Sequence, residues 1–252
     1  KWGQKKEELE KKIKRNSSCM ISIEKARSIS IWIFVIPFIA VNACLLITTQ
    51  FHSLIDPQYR IFMPFPYIDG GVSISRTARY FPTYLIFKPA MFLTSYLLII
   101  YWLSNKKIIE FFEPNHKHKK KIVFFGVASA IALTVHAIFL GVKFDNDLYK
   151  LFRRVIMFTF IVFEIVAQAY LVATLFSFKE KIGKYINNNI LKIKLYLVSL
   201  LIIVATISIP IISLPGDDFF GFNLKFLKHA LEWDYFLGVI TFYLLTFFMW
   251  KK

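Results

Sequence analysis

Six stretches of the chain stay apolar for roughly the 20 residues that cross a bilayer, and charged residues collect between them. They run at approximately 28–49, 80–103, 122–141, 155–176, 195–214 and 235–250. Each is too long and too uniformly apolar for a barrel strand. Lipid leaves backbone groups no partner outside the segment, so the pattern predicts helices. The expected fold is all-α, a polytopic six-transmembrane-helix bundle, with the chain an integral, multi-pass membrane protein. Pro37 and Pro210 predict kinks in the first and fifth spans, and Asn42 offers a hydrogen bond between helices.

The segments between the spans sort by charge. Residues 1–27 open as a charged leader, KWGQKKEELEKKIKR, with Glu8 four residues before Lys12 on one helix face. Residues 50–79 form a long connection rich in Pro and Gly, expected as a structured loop. The connections at 104–121 and 178–194 are basic, VKFDNDLYKLFRR is short, and PGDDFFGFNLKFLKHALEWD is an aromatic, partly amphipathic loop. With six spans, one side collects 22 Lys and Arg and the other collects 10. The positive-inside rule then places both termini in the cytosol. On that side the Asn16-Ser17-Ser18 glycosylation pattern stays unmodified.

Composition agrees with a membrane setting. The 252 residues are 56% hydrophobic and 18% aromatic, with 28 Phe, and the mean hydropathy is +0.53. A net charge of +16 would suggest nucleic acid in a soluble chain. Here orientation in the membrane and anionic lipid headgroups account for it, so no nucleic-acid partner is expected. Two cysteines, Cys19 and Cys44, rule out a disulfide framework.

Candidate chemistry is sparse. Arg76 and Arg79 fall at the non-cytosolic headgroup level, where a guanidinium fork suits a phosphate. Snorkelling, or pairing with Asp69, is the simpler account. Lys88, with Arg76 and Arg79, completes the lipid-headgroup candidates. His136, Glu164 and Gln168 are the polar candidates within the membrane, where ionisable groups face the bundle interior or water. At ~1.5 Å per helical residue, Lys88 and His136 lie at similar depth and Glu164 deeper, so one shared pocket is geometrically allowed. His52, His136, His229, Asp217, Asp218, Glu232 and Asp234 could supply metal ligands, but no ligand spacing links them, and no metal or cofactor is expected. His116-x-His118 reads as a solvated charge run. No nucleophile elbow, phosphate loop or dinucleotide fingerprint occurs, and no catalytic residue is assigned.

One stretch carries a resemblance. Pro66-Tyr67-Ile68-Asp69-Gly70, followed by Tyr80-Phe81-Pro82-Thr83 and Ile86-Phe87 leading into a span, resembles the first exoplasmic loop of the damage-regulated autophagy modulator (DRAM/FRAG/SFK) family, which includes GPI-anchor lipid-remodelling factors. The chain lacks the family's Ser before Asp69, has Thr83 where the family tends to have Glu, and inserts SISRTAR. The resemblance implies six spans, cytosolic termini, and a role in GPI-anchor remodelling, autophagy or phosphoinositide regulation. The function expected is therefore non-catalytic: a lipid-associated modulator or an accessory subunit. Its partners would be membrane lipids, anionic ones included, and a protein in a membrane complex. A lipid-modifying enzyme is the alternative, and a small transporter or channel the next.

Overall fold

A computed structural model of the chain describes residues 2–62, 65–142, 146–213, 218–219 and 222–251. Among these, six helices are long and apolar enough to cross a membrane. They are α1 (Trp2–Thr49), α4 (Thr83–Phe112), α5 (Lys119–Phe139), α6 (Asp147–Ser177), α8 (Asn188–Ser213) and α9 (Leu224–Met249). Three one-turn helices lie between them: α2 (Pro66–Asp69), α3 (Ile74–Thr77) and α7 (Lys179–Ile182). A two-residue antiparallel ladder, Asp218–Phe219 (β1) with Phe222–Asn223 (β2), precedes α9.

The six long helices close into a ring. α1 packs on α4, α4 on α5, α5 on α6, α6 on α8, α8 on α9, and α9 returns to α1. Small residues let the helices approach. A Cβ on Gly126 of α5 would fall 2.3 Å from the Trp102 ring of α4, and one on Gly238 of α9 would fall 2.7 Å from Leu201 of α8. The core lines this ring with Trp102, Trp233, Tyr101, Tyr243 and Phe242, all essentially unexposed. Many exposed side chains on the outer surface are large and apolar, including Trp32, Phe124, Tyr196 and Phe248. That arrangement suits a lipid surround better than water.

Helix boundaries depart from the apolar stretches in a consistent way. The charged leader is not a separate element. α1 runs unbroken from Trp2 through Pro37 to Thr49, at ~1.5 Å per residue about twice the ~30 Å hydrocarbon thickness. Residues 104–112, 147–154 and 188–194, read as connections, are helical. The segment before the sixth span, read as loop to 234, is helical from Leu224. Hydropathy marks only the part of a helix that suits lipid, while the hydrogen-bond ladder continues through LKFLKHALEWD because its apolar residues recur at helical spacing.

The long connection after α1 folds back onto the ring. Gly70 ends α2 at φ +61, a left-handed conformation, and its Cα sits so close to α9 that a Cβ would lie 1.8 Å from the Phe226 carbonyl oxygen. His229 Nδ1 donates to the Gly70 carbonyl at 2.9 Å. Trp233 Nε1 donates to the Val72 carbonyl at 2.8 Å. Tyr67 packs edge-on against Trp233, with centroids 4.8 Å apart, and its hydroxyl donates to Asn42 of α1 at 3.2 Å. Asn42 thus bonds the loop and not a neighbouring long helix. Val72, Ile74, Thr77 and Ala78 are buried, so the segment seals one end of the ring.

Candidate functional site

Polar groups inside the ring fall into two sets. The first centres on Glu164 of α6, which is 0% exposed. Ser129 Oγ of α5 lies 2.5 Å from Glu164 Oε2 and 2.8 Å from the Gly126 carbonyl. Glu164 Oε1 accepts from Gln168 Nε2 at 3.2 Å and from the Tyr243 hydroxyl of α9. A serine hydroxyl has one proton. It therefore donates either to Glu164 or to the Gly126 carbonyl. Gln168 Nε2 additionally donates to the Val239 carbonyl at 3.2 Å, tying α6 to α9.

Beyond Tyr243 the polar groups continue. Its ring meets Tyr101 of α4 edge-on, with centroids 4.9 Å apart. The Tyr101 hydroxyl lies 3.3 Å from Thr246 Oγ1. Thr246 donates to the Phe242 carbonyl at 2.9 Å and accepts from Lys194 Nζ of α8 at 2.7 Å. Lys194 is 0% exposed, and its ammonium sits 3.8 Å from the Phe242 ring centroid, a cation–π contact. Glu164, Ser129, Tyr101, Thr246 and Lys194 thus draw α4, α5, α6, α8 and α9 together.

The second set lies toward the end sealed by the loop. A cavity of about 70 Å³ separates α1, α4, α5, α6 and α9, with Met91, Leu133, Met157 and Phe160 among its walls. His136, Glu164, Glu232 and Ser75 also line it. Ligand pockets run to roughly 300–1,000 Å³, so this is no preformed substrate chamber. Glu232 of α9 accepts from the Ser75 backbone N–H at 3.4 Å. His136, in the last turn of α5, is 8% exposed and its Nδ1 has no hydrogen-bond partner.

Two arginines stand near the end of α5. Gly141, at φ +83, lets the Arg79 backbone carbonyl come within 2.9 Å of its Cβ position. Arg79 folds back on its own turn, with Nε donating to the Ser75 carbonyl at 3.0 Å and Nη2 to Ser75 Oγ at 3.2 Å. Tyr149 of α6 donates to the Phe139 carbonyl at 2.9 Å, holding the start of α6 against the end of α5. Arg153, one turn on, leans over the Tyr149 ring at 6.0 Å, and its buried Nε has no partner. Arg153, through Tyr149, and Arg79, through Gly141, thus both stand near the last turn of α5, which carries His136.

The sequence candidates separate accordingly. His136, Glu164 and Gln168 all face the ring interior, and the first two share the cavity. Lys88 does not line it. Its ammonium donates to the Ile138 carbonyl of α5 at 3.2 Å, where a helix end leaves carbonyls free. Arg76 is exposed. Pro66 opens α2 and is buried, and Ile68 is exposed. Asp69 accepts from the backbone N–H groups of Phe65 at 3.2 Å and Gly71 at 2.7 Å, a local turn and not an arginine partner. Pro82 caps α4 after a cis peptide bond with Phe81. The His116–His118 turn is less solvated than its charge suggests. The His118 ring lies 5.0 Å from Tyr170, and burial holds both imidazoles below their ordinary range. Among the described residues no group of three or more His, Cys, Asp or Glu is placed to hold a metal. Asp217 lies outside them, as do the side chains of His52 and Asp218.

Lys194, Arg153, Tyr101 and Tyr243 were not singled out from sequence, yet helical spacing marks them. Lys194 falls with Leu191, Val198 and Leu201 on one buried stripe, at steps of three and four. Arg153 stands eleven residues before Glu164, about three turns along one face.

Compared with known proteins, the chain matches no family model, no curated protein and no solved structure. Fold and site define a class, an all-helical ring of six helices able to cross a membrane, with a bonded polar interior.

Proposed function

We propose that the chain is a multi-pass integral membrane protein with both termini in the cytosol. It acts without catalysis, as a lipid-associated modulator or an accessory subunit of a membrane assembly. The observation that carries this reading is the state of Glu164. The carboxyl group most available for proton transfer is fully enclosed, and every one of its contacts is to a side chain that holds another helix. The adjoining cavity, about 70 Å³, is too small to admit a lipid headgroup to it. An interior so committed suits a protein that presents fixed surfaces to lipid and to a partner. The excess of Lys and Arg at one face supports the cytosolic assignment of the termini. Resemblance of the Pro66–Gly70 and Tyr80–Thr83 stretches to the DRAM/FRAG/SFK family supports roles around lipid anchors, autophagy or phosphoinositides.

Mass spectrometry of the gently solubilised protein tests the reading. A stoichiometric protein partner, or a retained lipid that the protein leaves unaltered, is the expected result. Accumulation of a product lipid on incubation with membranes would overturn it in favour of an enzyme.

A further inference from the structure

The geometry points to a binding site for the phosphodiester of an anionic membrane lipid, formed by Arg79 and Arg153 where α5 and α6 meet the sealing loop. The inference rests on the lipid-associated reading and names its ligand chemistry. Three observations carry it.

The first is unspent donor capacity. Arg153 makes no hydrogen bond or ion pair among the described residues, and its buried Nε faces no acceptor. Arg79 uses Nε and one Nη2 proton on Ser75, leaving the rest of its fork free. His136 Nδ1, beside them, is likewise without a partner. Arg79 is carried by the segment packed on Gly141, and Arg153 leans on the Tyr149 that bonds Phe139, so both guanidinium groups stand at the end of α5, where an anion would accept their N–H groups.

The second is charge. Glu232 is a carboxyl group beside this cluster: it accepts from the N–H of Ser75, the residue that Arg79 bonds, and among the described residues it forms no ion pair. Two arginines outnumber the one carboxyl group, so the cluster is cationic and suits an anion. A phosphodiester supplies one negative charge without bringing the second that a phosphate monoester carries.

The third is the surround. Arg153 lies about 9 Å along α6 from its first residue. Leu148, Leu151, Phe152 and Val155, on either side of it in sequence, are exposed. A soluble anion would meet apolar surface there, whereas a lipid would lay its acyl chains on it. The donor set is at headgroup level beside a face that suits chains.

The probe is dioleoylphosphatidylglycerol, titrated onto the delipidated full chain and read by native mass spectrometry. Dioleoylphosphatidylcholine is the zwitterionic control. The wild type should retain one phosphatidylglycerol molecule in preference to phosphatidylcholine. Arg153→Gln and Arg79→Gln should each weaken retention at least fivefold at unchanged melting temperature, and the double variant should abolish the preference. Arg76→Gln and Lys88→Gln, which alter an exposed arginine and a lysine already bonded to Ile138, should leave it intact. Glu232→Gln should tighten retention by removing the competing charge, a gain that a merely structural role would not produce. Retention of phosphatidylglycerol by the wild type and the double variant alike would overturn the site and leave the lipid-associated reading standing. No lipid preference in the wild type would overturn both. Displacement of the lipid by millimolar inorganic phosphate or glycerol 3-phosphate would reassign the arginines to a soluble anion.

Discussion

The Glu164 region and the Arg79–Arg153 region lie within one ring of helices, yet they treat their polar atoms in opposite ways. Around Glu164 both carboxyl oxygens are bonded, and the atoms left over are the amide oxygen of Gln168 and the indole N–H of Trp102. Around Arg153 the atoms left over belong to a guanidinium and an imidazole. An unmet neutral dipole in a tight core costs little enough to tolerate, and the neighbouring bonds fix the helices. An unmet cation at headgroup depth is a different matter, because burial removes water without supplying a counter-charge. The difference teaches which polar residues in such a bundle hold the structure and which await something from outside it. The first set should respond to substitution through stability and the second through binding.

The largest loss is expected where the loop seals the ring. Gly70→Ala places a methyl group 1.8 Å from the Phe226 carbonyl oxygen and at φ +61. Neither atom is the end of a flexible side chain, so the loop must lift from α9. That releases the bonds from His229 and Trp233 with it. A cost of about 3 kcal/mol follows from strain plus lost buried contacts. Thermal unfolding in detergent should show it, and hydrogen exchange should rise first across 66–78. A variant melting with the wild type would mean that the loop is not docked as described.

Next come paired substitutions at Glu164. Glu164→Gln preserves the bonding pattern, since the new amide donates to Ser129 and its oxygen accepts from Tyr243 and Gln168. Its unfolding free energy should stay within about 1 kcal/mol of the wild type. Glu164→Leu strips all three contacts and should cost about 2 kcal/mol, the sum of three membrane-interior hydrogen bonds at roughly 0.6 each. A large loss in the glutamine variant would mean that the carboxyl group is charged, and the contrast between the two regions would fail.

Much of this architecture could be read from the chain. Apolar length alone identified six helices, and the density of Pro and Gly at 50–79 identified a loop with structure of its own. His136 and Glu164 stood out because ionisable residues are rare in apolar runs. Lys194 and Arg153 escaped for the complementary reason. Each lies near a helix end among other charges, where a solvated setting explains it at no cost, and only the three-and-four spacing of Leu191, Lys194, Val198 and Leu201 distinguishes an inward lysine from its neighbour Lys192. Glu232 was named only among scattered metal-ligand candidates, because hydropathy placed the sixth helix from 235 and left it in a loop. No periodicity could show that Asn42 would bond the loop or that Lys88 would turn to Ile138, because both depend on which helices become neighbours.

Lys194 tests the comparison from its weaker side. It is wholly enclosed where Arg153 is half-buried, and Thr246 and the Phe242 ring occupy it. Lys194→Met keeps the aliphatic stem and discards the charge. Replacing a buried charge with a well-packed apolar group is often neutral or stabilising, so a change between zero and a gain of about 1 kcal/mol is expected. A marked loss would class Lys194 with Glu164 as a structural bond. Loss of a partner or lipid at unchanged stability would instead place it with Arg153.

The smallest effect belongs to a polar contact outside the ring, where water supplies the reference that the interior lacks. Lys181 of α7 donates to Glu113, just past α4, at 2.5 Å, and both side chains are substantially exposed. The hydrogen bond and the charge of Lys181 hold the Glu113 carboxyl below its ordinary value of 4.5. A depressed folded value means that the pair contributes stability above the ordinary value and loses it as pH falls through the lower one. Lys181→Met should therefore melt slightly below the wild type at pH 7, and the two curves should converge under acid conditions below pH 4.5. Added salt at pH 7 should shrink the same gap, because an exposed pair is screened. Neither change should touch the Glu164 contacts, which are enclosed from water and its ions. A salt-sensitive Glu164→Leu difference would show that solvent reaches the interior carboxyl.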